Sequence, residues 1–553
     1  MKEQRAQAYV NLIEQLLARA DDEELNNILQ ANQELIDPQF LQVMENYATG
    51  LEEQGNNHPA AWLRDMVQQL GQFLNPQAGS IEEYQKFLSE VLQAEWESNS
   101  DPTVVYPILQ RRQHLLDDTF AQLLQQLARN VFSQRKPEEV AAIVGVIQNL
   151  CVDIQNFPLG SWANNPEIAI TGYQTLLEVY TRQASPEKWA RIQNNLGNAY
   201  RKRIRGERAE NLELAIVAYN QSLEVYTRDA FPEDWAVIQN NLGNAYSDRI
   251  RGERADNLEL AIVAYNQSLE VYTRDAFPYE WAREQNNLGS AYINRIKGDI
   301  VENIETAIFC YQEALTIRTF DAFPLDWATT QNNLGNAYSE RIRGNKAENI
   351  ENAIVCYQEA LKIYTRQAFP GDWAETQYNL ANTLRERFKF LGKVTDIQQA
   401  INSYKQAGEI IEKTEDKTLY FNYSYQLGKA LFEGGYYTEA IEHLENCQQL
   451  YQKQKDISSL APILLELARL YHRTGRLEQA RLYFKDSLRL FRRLGDQDNV
   501  ASVTTALGNL EIQIGKISQA CSHLKEAQTY YQENNDKERL EEINYLLKIL
   551  QSA

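Results

Sequence analysis

The sequence predicts an all-α solenoid, a string of antiparallel helix pairs preceded by a separate helical region. Three observations lead there. Trp189, Trp235, Trp281, Trp327 and Trp373 stand 46 residues apart. Leu196, Leu242, Leu288, Leu334 and Leu380 keep the same step, and Ala215, Ala261, Ala307, Ala353 and Ala400 keep it to within one residue. Between these markers apolar residues recur at helical spacing, with no stretch alternating strictly at period two. A fixed period of this size marks an array in which each unit buries its apolar face only against its neighbours.

Residues 1–142 read as a helical region of their own. Pro38 follows Asp37, Pro102 follows Asp101 and Pro137 follows Lys136, each proline standing where a first-turn N–H has no partner anyway. Ser80 with Glu83 has capping-box spacing. Gln72 to Gly79, with its Asn, Pro and Gly, reads as the internal break. The long-period solenoid spans 143–400 and opens with a degenerate pair at about 143 to 182, because Ala169, Tyr173, Leu177 and Tyr180 lie one period before Ala215, Tyr219, Leu223 and Tyr226.

Within one full unit the expected helices are Pro186 to Arg205 and Leu212 to Arg228. Gly206 is expected just past the first helix, behind cations that suit its negative end, and Asn211 as cap of the second. Beyond residue 400 the step shortens: Leu427, Leu467 and Leu507 are 40 apart, as are Ala440, Ala480 and Ala520. Residues 401–535 therefore continue the array in shorter pairs, and 536–553 form a capping helix with a polar outer face.

The net charge is −21, and residues 1–140 hold 22 acidic against 10 basic side chains. Such a field repels nucleic acid and anionic membrane. Five cysteines form no dense framework, and the amino terminus has no secretory pattern, so reduced thiols and a cytoplasmic location are expected. Cys310 and Cys356 sit one period apart where earlier units have Ala218 and Ala264, a small-residue packing slot.

Leu196-Gly197, Tyr200, Ala215, Tyr219 and Ser222 resemble the tetratricopeptide repeat signature. The resemblance implies a right-handed superhelix of helix pairs with a concave groove lined by the first helices. The period of 46 exceeds the usual 34 and is similar to kinesin-light-chain-like repeats. The phrases QNNLGNAY, RIRGERAENLELAI and DAFPEDWA, with LQANQELID and AAWLRDM in the leading region, resemble cyanobacterial tetratricopeptide proteins that continue into a caspase-like CHAT domain. The sequence after residue 536 has no room for the catalytic His and Cys of such a domain, so protease activity is not expected to carry over.

Binding residues are sought where near-identical units differ. Residues 193–232 and 239–278 differ at three of 40 positions: Arg201 against Ser247, Lys202 against Asp248, and Glu210 against Asp256. The first two change charge, and the next units carry Ile293-Asn294 and Ser339-Glu340 at that pair. Arg191, Val237, Arg283, Thr329 and Glu375 vary likewise. On a helix 191, 194, 198 and 201 or 202 share a face, the one that in the resembling family lines the groove. Its constant part is asparagine: Asn194, Asn240, Asn286 and Asn332, broken by Tyr378, and Asn198, Asn244, Ser290, Asn336 and Asn382. Asparagine is only a middling helix former, so its mid-helix repetition needs a reason. A side-chain amide offers donor and acceptor to an extended peptide backbone; alternatively, the rows bridge neighbouring units or face water.

The tryptophans read as core. The row Arg203, Arg249, Arg295, Arg341 and Arg387 reads either as helix-end charge compensation or as an anion track. His443 with Cys447 is an isolated i, i+4 pair, and Gly515-Lys516-Ile517-Ser518 resembles the tail of a phosphate loop without its upstream glycine. No HExxH, CxxC or GxSxG occurs. The expected function is a non-catalytic scaffold or adaptor holding a protein or peptide partner in the groove, with no cofactor or metal. The alternatives are a regulatory or sensor arm of a CHAT protease system, and nucleic-acid binding through the arginine row, which the acidity disfavours.

Overall fold

The computed structural model describes residues 79–134, 137–412 and 417–552 without a break, with 38–53 and scattered positions between 9 and 67. Apart from Gly79, the break expected at Gln72 to Gly79 lies outside them. The described residues are built from helices, with no strand among them. They fall into two compact units, residues 1–252 and 253–553. The division lies inside the 46-residue array, away from the change of period.

The first unit holds α1 (Pro38–Glu53), α2 (Ile81–Ser98), α3 (Pro102–Arg111), α4 (Asp118–Gln134), α5 (Pro137–Asn156), α6 (Asn164–Leu176), α7 (Pro186–Lys202), α8 (Arg208–Leu223) and α9 (Pro232–Asp248). Helix starts follow the local chemistry. The Ser80 hydroxyl accepts from the Glu83 N–H at 3.2 Å while the Glu83 carboxylate accepts from the Ser80 N–H at 2.9 Å. Asp101 accepts from the Thr103 N–H at 2.9 Å, with Pro102 in the first turn. The α5/α6 pair occupies the place of the degenerate leading unit, with Cys151 against Gly172.

The second unit holds α10 (Arg254–Leu269), α11 (Pro278–Ile293), α12 (Ile300–Leu315), α13 (Pro324–Glu340), α14 (Lys346–Ala360), α15 (Pro370–Leu391), α16 (Val394–Ile411), α17 (Lys417–Glu433) and α18 (Tyr437–Gln454). It continues with α19 (Ile457–Arg473), α20 (Leu477–Leu494), α21 (Gln497–Gln513), α22 (Ile517–Glu533) and α23 (Lys537–Ser552). From α11 to α22 consecutive helices pack as pairs, and each pair packs on the next. One core runs from Ile350 to Leu510 through the inward faces of these helices.

A glycine against a tyrosine brings the two helices of a long pair together. A methyl group added at Gly289 would lie 2.8 Å from the Tyr311 ring, and one at Gly335 2.7 Å from Tyr357. Gly197 and Tyr219 repeat the contact at 2.6 Å in the first unit. Only glycine lets the ring lie that close to the first helix, which gives the Leu-Gly and Tyr markers their physical content.

The turn between the paired helices differs from expectation. α7 ends at Lys202, three residues earlier than the cation run suggests, and Gly206 sits inside the turn at φ 78°. There an L side chain is strained. Asn211 does not cap α8: it lies within the helix, buried, and its amide donates back to the Arg205 carbonyl at 2.9 Å. Asn303 and Asn349 hold the Lys297 and Arg343 carbonyls at 2.9 and 2.8 Å. The caps are other residues, Asp299 for α12 and Asn345 for α14. In the shorter pairs Gly435, Gly475 and Gly515 close the first helix at φ 82°, 76° and 73°.

Successive pairs are tied by charge. Arg203 meets Glu167, Arg249 meets Glu213, Arg295 meets Glu259, Arg341 meets Glu305 and Arg387 meets Glu351, always 36 residues back. All but the last pair both carboxylate oxygens with Nε and a terminal nitrogen. Arg387 gives the second edge of its guanidinium to the buried Asp396. The arginine row is thus a bidentate clamp between repeats, neither free for a phosphate track nor confined to its own helix end.

The tryptophan ladder is less buried than expected. Trp327 is enclosed, while Trp189, Trp235, Trp281 and Trp373 are half-buried. Arg228, Arg274 and Arg366 lie over the rings of Trp235, Trp281 and Trp373 at 5.9, 5.3 and 5.7 Å.

Candidate functional site

The asparagine rows carry out structural work on one side of each amide. In the outer row the oxygen accepts from a tyrosine hydroxyl of the paired helix: Tyr219 to Asn198 at 2.8 Å, Tyr357 to Asn336 at 2.8 Å and Tyr404 to Asn382 at 2.6 Å. Ser290 meets the Tyr311 hydroxyl at 3.1 Å. Asn244 reaches Asn240 one turn earlier at 3.5 Å. In the inner row Asn194 accepts from Asn241 at 3.0 Å, and Asn286 accepts from Asn333 at 3.3 Å and from Thr330 at 3.2 Å. These bonds link one repeat to the next, the bridging alternative of the sequence reading. Tyr378, which breaks that row, stacks edge-on against Tyr404 at 5.8 Å.

The variable pair of the first unit is also engaged within the chain. Arg201 pairs with Asp248 at 3.3 Å, and Lys202 donates to Asn156 at 2.9 Å. Arg208 lies 3.6 Å from the same Asp248 carboxylate. Charges that change between adjacent repeats thus meet each other. Ser247 beside them is half-buried.

In the second unit these positions converge on an open cleft of about 470 Å³. Its walls are the first helices of three successive pairs, α11, α13 and α15, with Tyr357 of α14 at its base. The variable pairs supply Ile293, Asn294, Ser339 and Glu340. The outer asparagine row supplies Asn336 and Asn382, and the post-tryptophan position supplies Glu375. Sequence reasoning did not single out Asn379, Thr383 and Glu386, which complete the lining. For Glu386 the signal was present, since it lies 46 residues after Glu340 in the variable row.

The cleft is acidic. Glu386 pairs with Lys346 at 2.7 Å. Surrounding protein raises the Glu340 carboxyl above its ordinary range, and raises Glu375 too, the neighbouring Asp372 adding to the effect. Nothing in this lining is arranged as a nucleophile with a base, and among the described residues no cluster of three or more His, Cys, Asp or Glu is placed to hold a metal. His443 meets the Ser424 carbonyl at 3.1 Å through Nε2, and the Cys447 sulfur lies 3.8 Å from that nitrogen. Cys310 and Cys356 are buried in their packing slot, which pushes each thiol up to about 12. No described helix is long and apolar enough to cross a membrane.

Comparison with known families agrees with this architecture. Residues 459–533 and 189–224 match tetratricopeptide repeat profiles, and residues 325–449 match the profile of the soluble NSF attachment protein, SNAP. The chain therefore carries tetratricopeptide repeats in both units. Comparison with curated proteins gives no match. Among solved structures it is similar to a Pyrococcus horikoshii signal transduction ATPase with a tetratricopeptide repeat sensor, at 13% identity and TM-score 0.41, over 78% of this chain and 68% of that one. It is also similar to the apo quorum sensor NprR of B. thuringiensis, at 16% and 0.37, over 74% and 99%, and to BtubC (BKLC) of P. vanneervenii, at 22% and 0.33, over 45% and 90%.

Proposed function

We propose that the protein is a non-catalytic scaffold or adaptor that binds protein segments along the first helices of its repeats. One observation carries this reading: the positions that vary between near-identical repeats and an asparagine row meet in a single open cleft. A surface needed only for stacking has no reason to vary there while the arginine clamps around it stay constant. The amide oxygens of Asn336 and Asn382 are each held by a tyrosine, so their N–H groups, fixed in direction, are what a passing backbone carbonyl meets. Binding is the sum of modest contacts of about 0.5–1.5 kcal/mol each, offset by ordering the segment. Asn194, Asn198, Asn240 and Asn244 are the residues at the corresponding positions of the first unit.

Free cysteines, four of the five buried, favour a cytoplasmic setting. The finer kinship with CHAT-linked proteins rests on the sequence phrases alone, and makes a protease of that class a candidate partner. The test is a photo-crosslinking residue at Asn294, on the cleft, compared with one at Val355, exposed on α14. Protein segments captured at 294 and not at 355 support the reading. Capture only at 355 would falsify it.

A further inference from the structure

We infer that the cleft between α11, α13 and α15 receives the cationic side chain, lysine or arginine, of the bound segment. The inference deepens the segment-binding reading and rests on it. Three features of the cleft lead there.

The first is the substitution pattern. The position of Glu375 is filled in earlier repeats by Arg191, Val237, Arg283 and Thr329, and that of Glu340 and Glu386 by Lys202, Asp248 and Asn294. Only around this cleft do both variable positions become carboxylates together. The second is pairing. Repeat after repeat, the acidic side chains of the stacking surfaces are matched by an arginine or lysine, as Glu259, Glu302 and Glu305 are. Of the three cleft carboxylates Glu386 alone has a cation, Lys346; Glu340 and Glu375 have no ion-pair partner among the described residues.

The third is a missing rung. In the inner asparagine row the oxygen of one repeat accepts from the following asparagine of the next, as in Asn194 with Asn241 and Asn286 with Asn333. Asn332 continues that row, but its oxygen is buried without a donor. The asparagine in register to supply one, Asn379, lines the cleft instead. Asn336, one helical turn from Asn332, lines the cleft, which itself holds two carboxylates with no ion-pair partner among the described residues. An ammonium brings three N–H donors and a guanidinium five. A cation in the cleft also favours the ionised forms of Glu340 and Glu375, whose carboxyls the surrounding protein raises.

The experiment pans the intact chain against displayed nine-residue peptides of Ser, Ala and Thr whose central residue is Lys, Arg, Gln or Glu. The baits are the wild type, Glu340→Gln/Glu375→Gln, and Glu348→Gln, an exposed carboxylate of α14; circular dichroism confirms that all are folded. The expected result is at least tenfold enrichment of Lys and Arg over Glu on the wild type and on Glu348→Gln, lost on the double variant and reduced by salt. Competition by spermidine at concentrations below those of the peptide would assign the cleft to a free amine and overturn the inference. Binding indifferent to the central residue, or a Lys preference surviving in the double variant, overturns the inference and leaves segment binding standing. No enrichment of any peptide overturns both.

Discussion

The clamp between Arg341 and Glu305 should hold adjacent repeats together far more strongly than a neighbouring pair of the same chemistry. Its two bonds, Nε to one carboxylate oxygen and a terminal nitrogen to the other, are both 2.8 Å long, and the side chains are 27% and 22% exposed. Arg343 with Glu302 bridges the same two repeats with side chains 52% and 61% exposed. Charge-assisted hydrogen bonds shielded from water contribute about 1.5–3 kcal/mol, whereas exposed pairs contribute about 0–1 kcal/mol. Single substitutions mislead, because each leaves its partner unpaired. The comparison is therefore between two double-mutant cycles, Arg341→Met with Glu305→Gln and Arg343→Met with Glu302→Gln. A solenoid opens locally, so the readout is hydrogen exchange in α12 and α13 and not a single melting temperature. The first cycle should couple by about 1.5–3 kcal/mol and keep most of that in 1 M salt. The second should fall below about 1 kcal/mol and vanish there. Equal couplings would refute the assignment of stacking strength to the buried clamp.

Two further outcomes are expected. Glu95 is buried with neither carboxylate oxygen hydrogen-bonded, and burial, with Asp153 close by, pushes its pKa up to about 8 from 4.5. A folded-state pKa above the unfolded one gives stability that is complete below about 4.5 and lost as pH rises through about 8. The urea midpoint should fall over that window, and Glu95→Gln should flatten the fall; a midpoint that rises with pH contradicts the assignment. Gly335→Ala places a methyl group 2.7 Å from the Tyr357 ring. It should cost about 1–3 kcal/mol in denaturation, while Gly371→Ala, with open space around it, should not.

The fold was legible because a solenoid repeats its contacts. The 46-residue step of Leu196, Ala215 and Trp189 identifies equivalent residues without any structure, and helix periodicity supplies the rest. What the step does not give is which equivalent residues touch. The arginine clamp lives at an offset of 36 and the asparagine bridge at 47. A signal for the clamp existed: Glu167, Glu213, Glu259, Glu305 and Glu351 form a row opposite in sign to the arginines, at a constant distance from them. Asn211 was misread because an asparagine near a helix start is usually a cap. The turn is too long for that, and the side chain is spent tying it back. The variable positions are visible in the sequence, yet their engagement is not. An amide held by Tyr357 and one facing solvent look identical in sequence, and Arg201 meets Asp248 only once the repeats are stacked.

The same logic reads one irregularity that the periodic pattern hides. Ile192, Ile238, Thr330 and Thr376 share a register with Glu284, and Tyr226, Tyr272 and Tyr364 share one with Arg318. Both departures fall in the same repeat. Glu284 is fully buried and meets Arg283 at 3.2 Å; Arg318 is 3% exposed, donating to Thr330 at 3.2 Å and lying 3.4 Å from Asp326. Burial raises Glu284 to about 7, against the pull of Arg283 and then Arg318. A buried charge network is rarely a source of net stability, because desolvation offsets its attraction. Restoring the consensus with Glu284→Ile and Arg318→Tyr together should therefore leave stability at or above the wild type and remove its decline as pH rises through about 7. Arg318→Tyr alone strips Glu284 of a cation and Thr330 of a donor, and should cost roughly 1–3 kcal/mol. Urea titrations of the three variants at pH 6 and pH 8 separate these outcomes. A double variant weaker than Arg318→Tyr would mean that the network holds this repeat together, and that the argument from desolvation fails here.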